Sequence, residues 1–174
     1  YGLQGLLFPN GLVIDPLKTC EAFTRKARIV TGRADDIREG EKGLDVLGGK
    51  GAVLASGSHV FVCAGAGIKS FEQNTEIDLR YSRGQITSAE ANVSEAFTYG
   101  GYAVPLAQSV LLGATHARLT STDPYKVTAE DDKRNIEAFV AMTGERAGII
   151  DGGSRASVRV NRANTLPLVK QTGA

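Results

Sequence analysis

The sequence predicts an α+β fold built on a mixed, largely antiparallel sheet backed by helices. Three observations carry this expectation. β-rich runs at 99–106 and 109–113 flank the polar pair Ala107-Gln108, and runs at 44–47 and 52–55 flank Gly48-Gly-Lys-Gly51, each in the manner of a hairpin. Residues 128–144 hold a capped, amphipathic helical pattern. The 174 residues are 42% hydrophobic and 22% charged, the composition of one globular domain or slightly more. A chain of this size buries roughly 70% of its unfolded surface and needs no staples.

Taken in order, residues 6–14 read as a strand, a turn at Pro9-Asn10-Gly11 and a short return. Asp15-Pro16 opens a helix, because Asp15 caps free amides and Pro16 loses nothing at the first helical position. Leu17, Cys20, Phe23, Thr24 and Ala27 fall on one face, and Arg25, Lys26 and Arg28 gather where cations suit the helix dipole. Residues 28–34 follow as a strand, with a polar turn through 38–43. The glycines at 48–51 lack the lysine-serine ending of a phosphate loop and lead into no helix, so they read as a flexible turn.

Residues 59–65 form the most apolar run, of the kind seen in a strand covered on both faces, and end in the small-residue turn 64–67. Residues 77–89 give one long strand or two short ones around Tyr81, Arg83 and Ile86. A polar loop spans 118–125. Thr128 then caps the clearest helix, Asp131 completes an acidic capping box, and Ile136, Phe139 and Val140 make its apolar stripe before Gly144 stops it. Glu130, Asp131 and Asp132 are read as capping and solvated groups rather than metal ligands. Residues 149–160 return to strand with a break at Asp151-Gly-Gly-Ser154.

The net charge of +1, from 20 basic and 19 acidic residues, gives no bulk field for nucleic acid, although a local basic patch stays open. Cys20 and Cys63 sit among apolar residues and are expected as buried free thiols of a reducing compartment. No leader and no apolar run near membrane length occurs, so neither export nor membrane insertion is expected, and a cytoplasmic location fits. His59 and His116 are single, and no nucleophile elbow or zinc spacing is present, so no catalytic residue and no metal are assigned. Arg155, Arg159 and Arg162 form the densest basic cluster, and Arg159 stands opposite in face to Val158 and Val160. An arginine among small residues can hold a carboxylate in a bidentate fork, or the row can simply face solvent. The physical reading ends at an α+β domain with a ligand site.

The order of the pieces adds a resemblance. Gly5-Leu-Leu-Phe-Pro-Asn-Gly, Asp15-Pro16, Val-Phe-Val-Cys-Ala64-Gly65-Ala66-Gly67, Arg83-Gly84-Gln85, Tyr99-Gly-Gly-Tyr102-x-x-Pro105, Leu-Leu-Gly113-Ala-Thr115, Glu-Asp-Asp132-x-x-Asn135, Val158-Arg159 and Leu166-Pro167 follow one another. This run resembles the FAD-dependent oxidoreductases of the D-amino-acid oxidase and glycine oxidase superfamily. It is most similar to the branch that processes 5-carboxymethylaminomethyl-2-thiouridine in tRNA.

The resemblance implies that residues 1–70 are partial FAD-binding segments and remnants of the flavin layer, without the Gly-x-Gly-x-x-Gly phosphate loop. It implies that 71–174 are the substrate-binding domain with the start of the return to the FAD domain. The chain then reads as part of a longer polypeptide, inactive alone and unable to hold FAD tightly. The implied parent oxidises a secondary amine and removes the carboxymethyl group as glyoxylate, the cofactor carrying the redox chemistry. Arg159 is implied for the substrate carboxylate, Tyr102 and Tyr99 for the pocket lining, and Arg83 and Gln85 for the flavin-ring side. Ala64, Gly65, Ala66 and Gly67 are implied for the cofactor. The partner is a small amine or amino-acid-like group, on tRNA or free, and Arg155 and Arg162 are open to phosphate contact or to solvent. An oxidase of free glycine, sarcosine or D-amino acids, a flavin-free binding module and a structural domain are the competing readings.

Overall fold

The computed structural model describes residues 5–41, 43–71, 76–119, 123–162 and 169–171. Leu166-Pro167, Lys42 of the polar turn and residues 120–122 of the polar loop lie outside them. The chain divides into two compact units, Tyr1–Ile14 with Tyr81–Arg159, and Asp15–Arg80 with Val160–Ala174. The fold is α+β, and every strand pair whose register is resolved is antiparallel.

The second unit opens with helix α1, Pro16–Thr24, where the Asp15 carboxylate accepts from the amides of Leu17 at 2.9 Å and Lys18 at 3.2 Å. Local capping alone sets this helix, because none of its residues is buried and the expected stripe of Leu17 and Phe23 is exposed. A three-stranded meander follows: β1 (Asp36–Gly40), β2 (Gly43–Leu47) and β3 (Val53–Gly57). The turn at 48–51 tightens into a 3-10 segment, Gly49–Gly51.

Four expectations for chain 1–71 fail. Residues 28–34 and 59–64 are irregular rather than strands, and the latter lead into a 3-10 segment, Gly65–Ser70. Residues 6–14 keep only the turn, closed by the Gly11 amide on the Phe8 carbonyl at 2.9 Å. Both cysteines are free but exposed, not buried. For the three failed strand readings the cause is that apolar character does not make a strand without a neighbour to complete its ladder.

The first unit is built on the long strand β4 (Leu79–Glu90), which begins two residues before the unit's second segment, Tyr81–Arg159. β5 (Phe97–Thr98), β6 (Tyr102–Pro105) and β7 (Val110–Gly113) form the expected hairpin system. The turn is closed by the Leu106 amide on the Ser109 carbonyl at 2.7 Å. β8 (Ala117–Arg118) precedes helix α2 (Ala129–Thr143), and β9 (Gly148–Ile149) and β10 (Arg155–Arg162) complete a sheet of order β10-β4-β7-β6-β5, with β8 and β9 also paired to β4. Gly144 ends α2 in the left-handed region at φ 72°, its amide on the Val140 carbonyl at 2.8 Å. Ala89, Ala103, Val110 and Leu112 of the sheet pack with Phe139 of α2 as the core.

Candidate functional site

Strand alternation splits β4 into two working faces. Arg83, Gln85, Thr87 and Ala89 point to α2 and are buried. Arg83 donates to the Asp131 carboxylate, to the Lys126 carbonyl and, at 3.0 Å, to Gln85 Oε1. Gln85 Oε1 also accepts from the Thr128 amide at 2.9 Å, while its Nε2 donates to the Thr128 carbonyl and Asp132 Oδ1, both at 2.8 Å. Thr87 donates to Asp132 Oδ1 at 2.7 Å, and Asn135 donates to Thr87 Oγ1 at 2.9 Å and to the Gln85 carbonyl at 3.0 Å.

This network changes the sequence reading in three respects. Asp131 and Asp132 are buried acceptors rather than solvated acids. Thr128 caps the Asp131 amide at 3.3 Å, but the reciprocal bond to the Thr128 amide comes from Gln85, leaving Asp131 free for Arg83. The two donors and two acceptor lone pairs of the Gln85 amide are all used inside the fold. Burial pushes the Asp131 carboxyl up, yet bonds from Arg83 and Thr128 and the Arg83 charge outweigh it and hold the group below its ordinary value.

The reverse face of the sheet carries Gly84, Ile86, Gly113 and Tyr102. A Cβ on Gly113 would lie 2.8 Å from the Tyr102 ring and hydroxyl and 3.1 Å from Ile86 Cγ2, so Tyr102 leans from β6 across β7 toward β4. From the opposite edge Arg159 leans from β10 across β4, its Nη2 2.9 Å from where a Gly84 Cβ would stand. The half-buried Arg159 guanidinium has no hydrogen-bond or ion-pair partner among the described residues. The two side chains therefore converge on neighbouring strands, with Ile86 on the floor between them. Their resting points are separated by roughly 5 Å across the sheet and roughly 7 Å along it. An unpaired cation, an aromatic wall and an apolar floor suit a small amine bearing a carboxylate.

The structure thus brings Arg159 and Tyr102 to one face and places Arg83, Gln85 and Tyr99 on the other. Tyr99 packs with Phe97 at 5.7 Å against the α2-side core, and its hydroxyl bonds the Tyr102 carbonyl at 3.4 Å. Burial, with Tyr102 nearby, pushes the Tyr99 hydroxyl up. Tyr99 also borders a cleft of about 560 Å³ with Thr115, His116, Arg134 and Met142. Ala64, Gly65, Ala66 and Gly67 belong to the second unit and are exposed. The Gly67 amide there is already bonded to the Ala64 carbonyl at 2.9 Å. Among the described residues no group of His, Cys, Asp and Glu is arranged to hold a metal ion, and no helix is long and apolar enough to cross a membrane.

Sequence reasoning passed over Gly84 as a site residue and missed the register of its strand. Thr87 pairs with Leu112 and Arg83 with Ala117, so four steps on β4 face five on the partner; the Thr115 amide bond to the Gln85 carbonyl puts the extra residue between Leu112 and Thr115, opposite Ile86. A glycine inside an alternating strand was the available signal.

The FAD dependent oxidoreductase family profile, DAO, matches residues 1–173. The chain is similar to the tRNA 5-methylaminomethyl-2-thiouridine biosynthesis bifunctional protein MnmC of Caulobacter vibrioides, 31% identical over 135 residues, 75% of this chain and 22% of that protein. The protein of the same name from Caulobacter sp. (strain K31) is 27% identical over 171 residues, 95% of this chain and 27% of that protein. The chain so spans about a quarter of the curated relatives it matches. In fold it is similar to glycine oxidase from Geobacillus kaustophilus, with a TM-score of 0.58 at 17% identity over 80% of this chain and 39% of that one. Iminodiacetate oxidase from Chelativorans sp. BNC1 gives 0.56 at 18% identity over 74% and 37%. With the profile covering nearly every residue, the chain belongs to the DAO family of FAD-dependent oxidoreductases.

Proposed function

We propose that this chain supplies the substrate side of a flavin amine oxidase that acts on the carboxymethylaminomethyl group of a tRNA uridine. The observation that carries the reading is the unpartnered Arg159 guanidinium facing Tyr102 across Ile86. The name shared by the two Caulobacter relatives supports the tRNA branch over a free amino acid. On this reading the first unit belongs to the substrate domain and the second to the flavin domain, in a cytoplasmic enzyme.

The reverse face fits the ring end of a flavin site, with half-buried Ile86 and Tyr102 as its apolar surface and no side-chain bond made by Arg159 among the described residues. The turn at 64–67 does not fit a pyrophosphate, since its Gly67 amide is spent within the turn. When bound, the flavin supplies the hydride acceptor for the carbon beside the amine nitrogen. The chain's own work is positional. Arg159 holds the carboxylate by charge-assisted bonds, and Tyr102 and Ile86 keep water from the amine carbon. Hydrolysis of the oxidised substrate then gives glyoxylate and the primary amine. Arg83 and Gln85 act on this face only through the strand they anchor.

The test is glyoxylate release by the full-length protein from tRNA bearing the carboxymethylaminomethyl group, against free glycine, sarcosine and iminodiacetate. Release from the tRNA alone is expected. Turnover of the free amino acids with the tRNA left intact would replace this reading with a small-molecule oxidase.

A further inference from the structure

We propose that Gly84 is a positioning residue: its missing side chain is the seat on which the Arg159 guanidinium lies. This inference rests on the proposed role of Arg159 as carboxylate anchor. A Cβ at position 84 would stand 2.9 Å from Arg159 Nη2, 3.0 Å from its Cζ and 2.8 Å from the Thr115 carbonyl oxygen. All three approaches are inside van der Waals contact.

Strand β4 has no freedom to retreat from such a clash. On the α2 side, Arg83 and Gln85 bracket Gly84 and are tied to Asp131, Lys126, Thr128 and Asp132. On the partner-strand side, the Gln85 amide donates to Thr115 Oγ1 at 3.0 Å, and the Thr115 amide donates to the Gln85 carbonyl at 3.1 Å. The bulge between Leu112 and Ala117 brings Thr115 into this register. With backbone fixed on both sides, the Thr115 contact is borne as a loss of stability in any background, and the part that can move is the guanidinium. The buried network therefore serves the reverse face: it clamps the two residues beside Gly84 so that the arginine rests at a fixed height.

The experiment is a double-mutant cycle in the full-length flavoprotein, read as KM and kcat for the carboxylated amine. R159A alone is expected to raise KM about 10- to 100-fold, the loss of a charge-assisted contact. G84A is expected to raise KM by about tenfold with a smaller change in kcat, and to add less than about twofold in the R159A background. An equal G84A effect in both backgrounds would overturn the seat. An unchanged KM in R159A would instead overturn the anchor role. Should G84A not fold, R159A carries the test through added guanidinium. Rescue by guanidinium and not by its bulkier N,N′-dimethyl derivative is expected. Equal rescue by both, or by neither, would overturn the proposal.

Discussion

Arg83 and Asp131, 48 residues apart, form a buried ion pair that fastens β4 to the first turn of α2, with side-chain exposures of 8% and 9%. Removing one partner leaves the other charge buried and uncompensated. D131N is expected to cost about 3–5 kcal/mol in urea unfolding, and R83M a similar amount. Replacing both together should cost clearly less than the sum, because no lone charge remains. Additive losses would mean that the two side chains do not interact.

The same pair sets a pH dependence. The Asp131 carboxyl is held below its ordinary value of 3.8 in the folded chain, so folding favours its ionised form. That stability is present above the ordinary value and is lost as pH falls through the lowered one. Denaturation midpoints should therefore drop on acidification below about pH 4, with a shallower drop in D131N. Parallel pH curves for the two proteins would remove Asp131 from the explanation.

How far the sequence could be read depended on whether its signals were local. Thr128 and Gly144 bound α2 as expected, and Asp15-Pro16 bounded α1, because caps act within one turn. The hairpin of β6 and β7 and the alternation of β4 were legible for the same reason. Residues 59–64 were misread, since an apolar run says nothing of whether a neighbouring strand exists. Asp131 and Asp132 looked solvated because their partners, Arg83, Gln85 and Thr87, lie over 40 residues away. Arg159 and Tyr102 share one face of the sheet, while Arg83 and Gln85, implied by the resemblance for the flavin-ring side, stand on the α2 face of β4. One residue of strand period separates Gly84, on the reverse face, from both.

The core should respond as a packed interior does. Phe139 is fully buried against Ala89, Ala103, Val110 and Leu112, and stacks on Phe97 at 6.3 Å. F139A is expected to lose about 3–5 kcal/mol of stability, measured by urea unfolding. F139L should lose less, because it refills most of the cavity. A loss below about 1 kcal/mol for F139A would show that α2 is not held to the sheet by this residue.

The most direct measurement is substrate discrimination by Arg159 in the full-length enzyme. It compares kcat/KM for the carboxymethylamine substrate with that for the same amine carrying a methyl group in place of carboxymethyl. The unaltered protein should prefer the carboxylated amine by about 10- to 100-fold. R159A should erase that preference while leaving turnover of the methylated analogue nearly unchanged, and R159K should restore only part of it. A preference that survives intact in R159A would contradict the assignment of this face as the carboxylate site.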